Sequence, residues 1–418
     1  MDFVDHLKAR GLIQDISDEA GLRKLPQGTP FYVGFDPTAP SLQLGNMVPL
    51  IAAMHLGRAG LKPIILFGGA TGSIGDPGGR SSERQLQAIE TTNANLERHK
   101  AQVSRIFDRA GVKAEFANNM DWTKDVSVLD FLRDVGKHFT VNYMIAKDVV
   151  KTRLDGEGIS YTEFSYMLLQ AFDYLHLYKT AGCRLQVGGS EQWGNITAGL
   201  ELIRRKLQGE AYAISFPLIV DSQGKKFGKS EGGALWLDAE RTSPYKLHQF
   251  MLNSEDSQVV KYLKIFTFLD LARISELEES LRNAPEKREC QRALADELCT
   301  LVHGAEATGD AKRCAEVLFG GSLSGLSAAQ LQDIFSDAPS SALPADRLNT
   351  ISVLDLFAES GLVKSKGEGK KLIASGGAYL NNERVSDAAQ SISAQQLIGD
   401  VLVLRAGKKN YHLVRVTR

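Results

Sequence analysis

Three polar residues, Tyr166, Gln170 and Asp173, fall at i, i+4 and i+7 within YTEFSYMLLQAFDYLHLY (161–178). On a helix that spacing sets a phenol, an amide and a carboxylate side by side on one face. Buried among apolar neighbours, such groups need a partner, and a polar ligand would be one; a face turned to water would need none. Four further stretches carry related chemistry. GFDPTAPSLQLGN (34–46) passes from an apolar segment through Asp36, Pro37 and Thr38, and Gly45 stands where a helix begins, so a ligand can come close to the backbone. GGATGSIGDPGGRSSER (68–84) offers glycine N–H groups, the acceptor Asp76 and the cations Arg80 and Arg84. It closes on no GKS or GKT and does not spell GxGxxG, so it is neither a P-loop nor a dinucleotide fingerprint. QVGGSEQWGN (186–195) places Ser190 as an N-cap, with Gly189, Glu191 and Gln192 at the same turn. DSQGKKFGKSEGG (221–233) sets Lys225, Lys226, Lys229 and Ser230 among glycines, a loop able to close on charge that develops during a reaction. Any one of these loops alone is also what an ordinary surface turn looks like.

A scaffold must bring them together. FYVGF (31–35), KPIILFGGATG (62–72), RLQVGG (184–189) and SFPLIV (215–220) read as buried strands, with helical patterns near 46–59, 83–110 and 163–181. That alternation predicts an α/β, Rossmann-like doubly wound parallel sheet over residues 1–220, with a helical insertion at about 121–160 and ligands gathered beyond the carboxyl ends of the strands. The lysine loop and a linker occupy 221–240. Strand signals then vanish, and 241–321 reads as an α-helical domain. A Ser/Ala/Pro-rich stretch, 322–349, reads as a connector. The last unit, 350–418, reads as a small α+β domain with two short helices, a hairpin-like AYLNNERV and the strand-like VLVLRAGKKNYHLVRV.

Composition narrows the function classes. The 418 residues exceed the roughly 250–300 at which a single core stops growing, so several domains are expected. No apolar run approaches the roughly 18 residues of a membrane span, and MDFVDHLKAR is too acidic and broken for a signal peptide, which points to a cytoplasmic protein. Cys183, Cys290, Cys299 and Cys314 form no CxxC pair, and the eight histidines are scattered. Reduced thiols are expected, and no metal site built from side chains, although magnesium arriving with a nucleotide would leave no trace. Residues 361–418 hold 10 Lys/Arg against 4 Asp/Glu, a net +6, which leaves 39 against 46, or −7, for residues 1–360. A basic end on an acidic body suggests a polyanion partner.

Taken together and in order, YVGFDPTAPSL, GGATGSIGDP, YTEFSYMLLQAFD, QVGGSEQWGNIT, KFGKSEGG and TSPYKLHQF resemble the bacterial-type tyrosyl-tRNA synthetases, which are class I aminoacyl-tRNA synthetases. GLVKSKGEGKKLIASGGAYLNNERV is similar to the small RNA-binding module those enzymes carry at the C-terminus, so the resemblance spans nearly the whole chain. It implies activation of L-tyrosine by magnesium-bound ATP, transfer to tRNA(Tyr), a homodimer, and an anticodon-binding role for the helical domain. By the same resemblance, Tyr32 and Asp173 would hydrogen-bond the substrate's phenolic hydroxyl, and Asp76, Tyr166 and Gln170 its ammonium group. Asp36, Gly34, Gly189 and Gln192 would border the carboxylate, ribose and α-phosphate, with Gly45 and Glu191 also on the ATP side. Thr38, and Lys226, Lys229 and Ser230 of KFGKS, the form here of the KMSKS signature, would reach the outer phosphates. Arg80 and Arg84 would lie near the leaving pyrophosphate, and Lys364, Lys366, Lys370 and Lys371 near tRNA phosphates.

Two departures from the family pattern stand out. The HIGH signature reads QLGN at 43–46, and Glu191 replaces the usual Asp. The amides of Gln43 and Asn46 are expected to keep the hydrogen-bond donors of the missing imidazoles, with positive charge supplied by Lys226, Lys229 and Arg80. The competing expectation is a synthetase-derived protein that binds RNA without adenylating. A tryptophanyl relative would lack the Tyr32 and Asp173 pair, and a small nucleotidyl transferase would have no use for the helical and basic units.

Overall fold

Burial on both faces explains why the strands read as unbroken apolar runs. In the computed structural model, which describes residues 2–78, 86–156, 158–230, 233–317, 320–336, 338–407 and 410–417, the first sheet comprises β1 (Asp15–Ile16), β2 (Pro30–Phe35), β3 (Lys62–Phe67), β4 (Glu115–Asn118), β5 (Leu185–Gly189) and β6 (Tyr212–Phe216). Their order is β1-β6-β5-β2-β3-β4, with β1 antiparallel and the rest parallel. β6 stops at Phe216, short of the expected 220, because Pro217 has no N–H to give the ladder. Four helices connect the strands: α1 (Met47–Arg58), α2 (Ile89–Arg109), α3 (Tyr161–Ala181) and α4 (Trp193–Leu207). Ser160 caps α3 by accepting from the Glu163 N–H, and Gly182 ends it in the left-handed conformation. Residues 121–156 of the insertion are largely helical, and a buried ion pair, Arg153 to Glu163 at 2.8 Å, ties this stretch to the first turn of α3. A two-stranded hairpin, β7 (Lys229–Ser230) and β8 (Gly233–Ala234), follows the sheet.

The chain forms two compact units, Met1–Thr242 with Ser254–Val302, and Ser243–Asn253 with His303–Arg418. The helices of 241–321 are thus divided. Helices α5 (Asp256–Phe266), α6 (Leu271–Asn283) and α7 (Glu289–His303) belong essentially to the first unit. The Arg10 guanidinium holds α5 there by donating to the carbonyls of Lys264, Thr267 and Leu269, and Arg109 reaches the Val302 carbonyl.

The second unit is built on a sheet of order β11-β10-β12-β13-β9: β9 (Ser340–Pro344), β10 (Ala378–Leu380), β11 (Glu383–Arg384), β12 (Val401–Ala406) and β13 (Asn410–Thr417). Leu402 and Leu404 pack with the helix Val353–Glu359, while Val401 and Val403 pack with helices Ala305–Val317 and Ala328–Ile334, as strand alternation requires. The stretch 322–349, expected to connect, carries the helix Ala328–Ile334 and β9, which pairs in parallel with β13. The second short helix, Lys366–Ala374, begins at Ser365 and presents Lys364, Lys366, Lys370 and Lys371 as exposed side chains, with Lys366 paired to Asp355 at 2.6 Å. Among the described residues no helix is long and apolar enough to cross a membrane.

Candidate active site

Strands β2 and β5 are neighbours where the strand order reverses, and a cavity of about 370 Å³ opens beyond their carboxyl ends. Its deep end holds Tyr32 and Asp173. The Tyr32 hydroxyl is buried and has no hydrogen-bond partner among the described residues. Asp173 is held from the other side: Trp122 Nε1 donates to its Oδ1 and Asn119 Nδ2 to its Oδ2, each at 2.9 Å. A hydroxyl and a carboxylate that sit close without bonding each other suit a group that can accept from one and donate to the other, as a phenol does.

Burial pushes the Asp173 carboxyl up to about 7, against the pull of the Asn119 and Trp122 donors. The fold therefore keeps a proton that the unfolded chain releases near pH 4. That stabilisation is complete below pH 4 and is lost as pH rises through 7. Thermal unfolding of wild type and Asp173→Asn between pH 4 and 8 should show it: wild type loses stability relative to the variant across this window, and parallel curves would contradict the assignment.

Higher in the cavity two more carboxylates converge. Asp36 accepts from Thr71 Oγ1 at 2.7 Å and from the Tyr166 hydroxyl at 2.8 Å. Asp76 accepts from the Gln192 amide, from Asn195 Nδ2 at 3.4 Å and from the Gly78 N–H at 3.0 Å. Gln170 lines the same wall, and Asn119 Nδ2 also reaches Thr71 Oγ1 at 2.9 Å, joining the Asp36 and Asp173 clusters. Asp36 and Asp76 together on one side of the cavity favour a cationic group such as an ammonium. The glycine stretch contributes differently from expectation. Its N–H groups at Gly68, Gly69, Gly72 and Gly75 donate to the carbonyls of Phe35, Phe67, Gly68 and Thr71, and the Ala70 N–H donates to Asn119, because 71–74 closes a helical turn. They are spent on the fold.

Thr38, Gln43, Asn46, Gly34, Gly189, Glu191 and Lys226 all border the cavity. Gly45 is exposed and lies off its wall, as does Lys229 in β7; Ser230 is the other residue of that strand. Arg80 and Arg84 lie outside the described residues. A β-carbon on Gly189 would collide with the Glu191 carboxylate, which folds back over it. Burial, and then nearby Asp76, raise the Glu191 carboxyl above its ordinary value, and its buried Oε2 has no hydrogen-bond partner among the described residues.

The QLGN segment and the lysine loop form one assembly. Leu44 N–H donates to Leu235 O, Leu237 N–H to Leu42 O and Leu235 N–H to Gly228 O, while Gln43 bridges Trp236. Phe227 anchors the loop's base between Tyr262 and Phe266 of α5. Gly228 adopts φ +82°, and a β-carbon there would lie 3.0 Å from Leu44 Cβ. Gly228→Ala should therefore cost about 1–2 kcal/mol of stability and displace the loop, so that any ATP-dependent rate falls more than thermal stability does. Equal rates for folded wild type and variant would show that the loop tolerates the shift.

Two wall residues, Gln186 and Asn119, and the Trp122 donor to Asp173 escaped the sequence reading. Gln186 is 2% exposed, stands in register with Tyr32, and has a buried Oε1 without a partner among the described residues. Its signal was a lone amide inside the apolar strand RLQVGG. Asn119 and Trp122 follow β4 at the ligand edge, where NNMDW offered polar groups with no periodicity to single them out. Among the described residues no group of three or more His, Cys, Asp or Glu could hold a metal ion.

Comparison with known proteins agrees with this geometry. The family model of class I tRNA synthetases (W and Y) matches residues 27–320, and that of the tyrosine–tRNA ligase SYY-like C-terminal domain matches 330–414. The tyrosine–tRNA ligase of Geobacillus kaustophilus is 48% identical over 99% of this chain and 100% of its own length. Tyrosine–tRNA ligase 1 of Bacillus subtilis is 46% identical over 99% of both. The crystal structure of a C-terminally truncated mitochondrial tyrosyl-tRNA synthetase from Aspergillus nidulans superposes with a TM-score of 0.69 at 32% identity, covering 76% of this chain and 94% of that one. A parallel sheet with its cavity at the β2/β5 reversal, and matches that run along nearly the full length, have one common explanation: the chain belongs to the class I tRNA synthetases of the tryptophan and tyrosine group.

Proposed function

We infer that this chain is a tyrosine–tRNA ligase, which joins L-tyrosine to ATP as tyrosyl-adenylate with release of pyrophosphate and then passes the tyrosyl group to the terminal adenosine of tRNA(Tyr). The observation that carries the choice of tyrosine is the buried Tyr32 hydroxyl, unpartnered among the described residues, beside the oriented Asp173 carboxylate. Phenylalanine would leave the buried Tyr32 hydroxyl unsatisfied and would offer Asp173 no donor beyond Asn119 and Trp122, which costs more than one lost contact. Asp76, Tyr166 and Gln170 take the ammonium group, and Asp36, Gly34, Gly189 and Gln192 border the carboxylate, ribose and α-phosphate. Glu191 accepts from the ribose. ATP enters with magnesium, which neutralises polyphosphate charge. The chain's own contribution is positioning and charge: Thr38, Gln43 and Asn46 donate to phosphate oxygens, and Lys226, Lys229 and Ser230 close over them, with Arg80 and Arg84 beside the leaving group. The substrate carboxylate attacks the α-phosphorus in line, and no side-chain nucleophile is used.

In the same reading the helices of 241–321 meet the anticodon arm, and Lys364, Lys366, Lys370 and Lys371 meet tRNA phosphates, so affinity falls steeply with salt. Exposed Val128, Leu129, Val141 and Tyr161 on and beside the insertion suit coverage by a second copy in a homodimer. The setting is cytoplasmic. Amino-acid-dependent ATP–pyrophosphate exchange, run separately with tyrosine, phenylalanine and tryptophan, tests the assignment. Exchange with tyrosine alone is expected; a folded protein that binds tRNA but exchanges with none of them would be an RNA-binding derivative instead.

A further inference from the structure

One face of α2 holds the loop between β2 and the Leu44–Asn46 turn. Asn95, His99 and Gln102 stand at i, i+4 and i+7 of that helix and are all buried. Asn95 Nδ2 donates to Pro37 O at 3.1 Å, and His99 Nε2 to Ala39 O at 2.8 Å. Gln102 Oε1 accepts the Leu42 N–H at 3.1 Å while its Nε2 donates to Ser41 Oγ at 3.2 Å. Just ahead of the helix, Gln87 Nε2 donates to Thr38 O at 2.9 Å. Residues 37, 38, 39, 41 and 42 are thus each tied to α2 or its approach. A carbonyl can only accept, so His99 Nε2 carries the proton, and burial keeps the ring neutral.

Loop 37–42 lies outside any helix or strand, so its backbone groups need partners from elsewhere. An apolar helix face would have buried the loop without fixing it. We propose that the Asn95, His99 and Gln102 face of α2 is the template that sets the positions of Thr38 and Gln43, which makes His99 and Gln102 positioning residues for the adenylation step. They act through the loop, at its backbone, and α2 is itself fixed at its far end by Arg109 on Val302 O. The inference rests on the reading that Thr38 and Gln43 meet the phosphates of ATP. It accounts for a neutral imidazole 2% exposed at the wall of a cavity whose signature segment has lost both histidines.

Pyrophosphate exchange on the full chain tests it, with KM for ATP and for tyrosine measured separately. His99→Leu should lower kcat about tenfold, the size of one lost hydrogen bond, and raise KM for ATP, while KM for tyrosine stays within about twofold. His99→Gln, whose amide can still donate to the Ala39 carbonyl, should recover most of the rate. Gln87→Ala removes a single tie at a partly exposed position and should give the same pattern in weaker form, deciding the matter should His99→Leu fail to fold. Variants that match wild type, or that move both KM values equally, would overturn the template. Absence of exchange by wild type would instead remove the ATP reading, and the inference with it.

Discussion

Asp173→Ala is expected to lower kcat/KM for tyrosine in pyrophosphate exchange by about a hundredfold, the value of a hydrogen bond to a buried charge. The loss has two parts. In the proposed binding mode the substrate hydroxyl loses its acceptor, and Trp122 Nε1 and Asn119 Nδ2 lose the oxygens to which they donate at 2.9 Å. Tyr32→Phe removes one hydroxyl without orphaning another group of the protein, so its effect should be smaller, about tenfold. Both changes should narrow discrimination against phenylalanine, because the penalty for an apolar ring comes from the unpaired groups they delete. With the carboxyl pushed up to about 7, wild-type kcat/KM for tyrosine should also rise as pH climbs through 7, and Asp173→Asn should flatten that rise. Trp122→Phe serves as the control: an intermediate loss confined to tyrosine follows if the indole only aims the carboxylate. A variant series in which phenylalanine and tyrosine fall in parallel would place Asp173 in the fold and not in selection.

How much of this was legible beforehand depended on whether the signal was local. FYVGF and RLQVGG declared themselves as strands because a parallel strand covered on both faces is near-continuously apolar, Gln186 being the exception in the second, and the 166/170/173 spacing needed only a helix to become a face. The ends of elements were less visible where a single residue decided them, as Pro217 does at the end of β6. The partners of Asp173 were invisible because Trp122 and Asn119 come from 51 and 54 residues away, a pairing that exists only after β4 and α3 are placed side by side. The α2 face shows the same limit. Asn95, His99 and Gln102 are periodic in the sequence, yet a polar stripe on a helix ordinarily faces water, and only the packed structure turns it onto loop 37–42. The glycine stretch failed in the opposite direction: its composition suggested open N–H groups, whereas residues 68–75 close a turn of their own.

The replacement of HIGH by QLGN gives the second large effect, and Asn46 separates its two components. Asn46 Oδ1 accepts the Gln43 N–H at 2.9 Å, which closes the turn that leads into α1. The amide nitrogen, on the other side of the same planar group, belongs to a residue in the cavity wall. Asn46→Asp keeps the acceptor, so the turn and the thermal stability should survive. It also removes the donor and sets a negative charge where the phosphates of ATP are proposed to lie. Deleting one donor that serves developing charge costs about 10²–10³ in rate, and the added repulsion should place kcat/KM for ATP near the upper end of that range. Asn46→Ala loses donor and cap together, so its rate should fall by about 10² and its melting temperature should drop as well. Asn46→His restores an N–H and leaves the other ring nitrogen to accept from Gln43, so it should remain active. Measured side by side, a slow but stable Asp variant assigns the amide to catalysis. An Asp variant with wild-type exchange would reduce Asn46 to a helix cap and leave Gln43, Thr38 and the lysines to hold the phosphates.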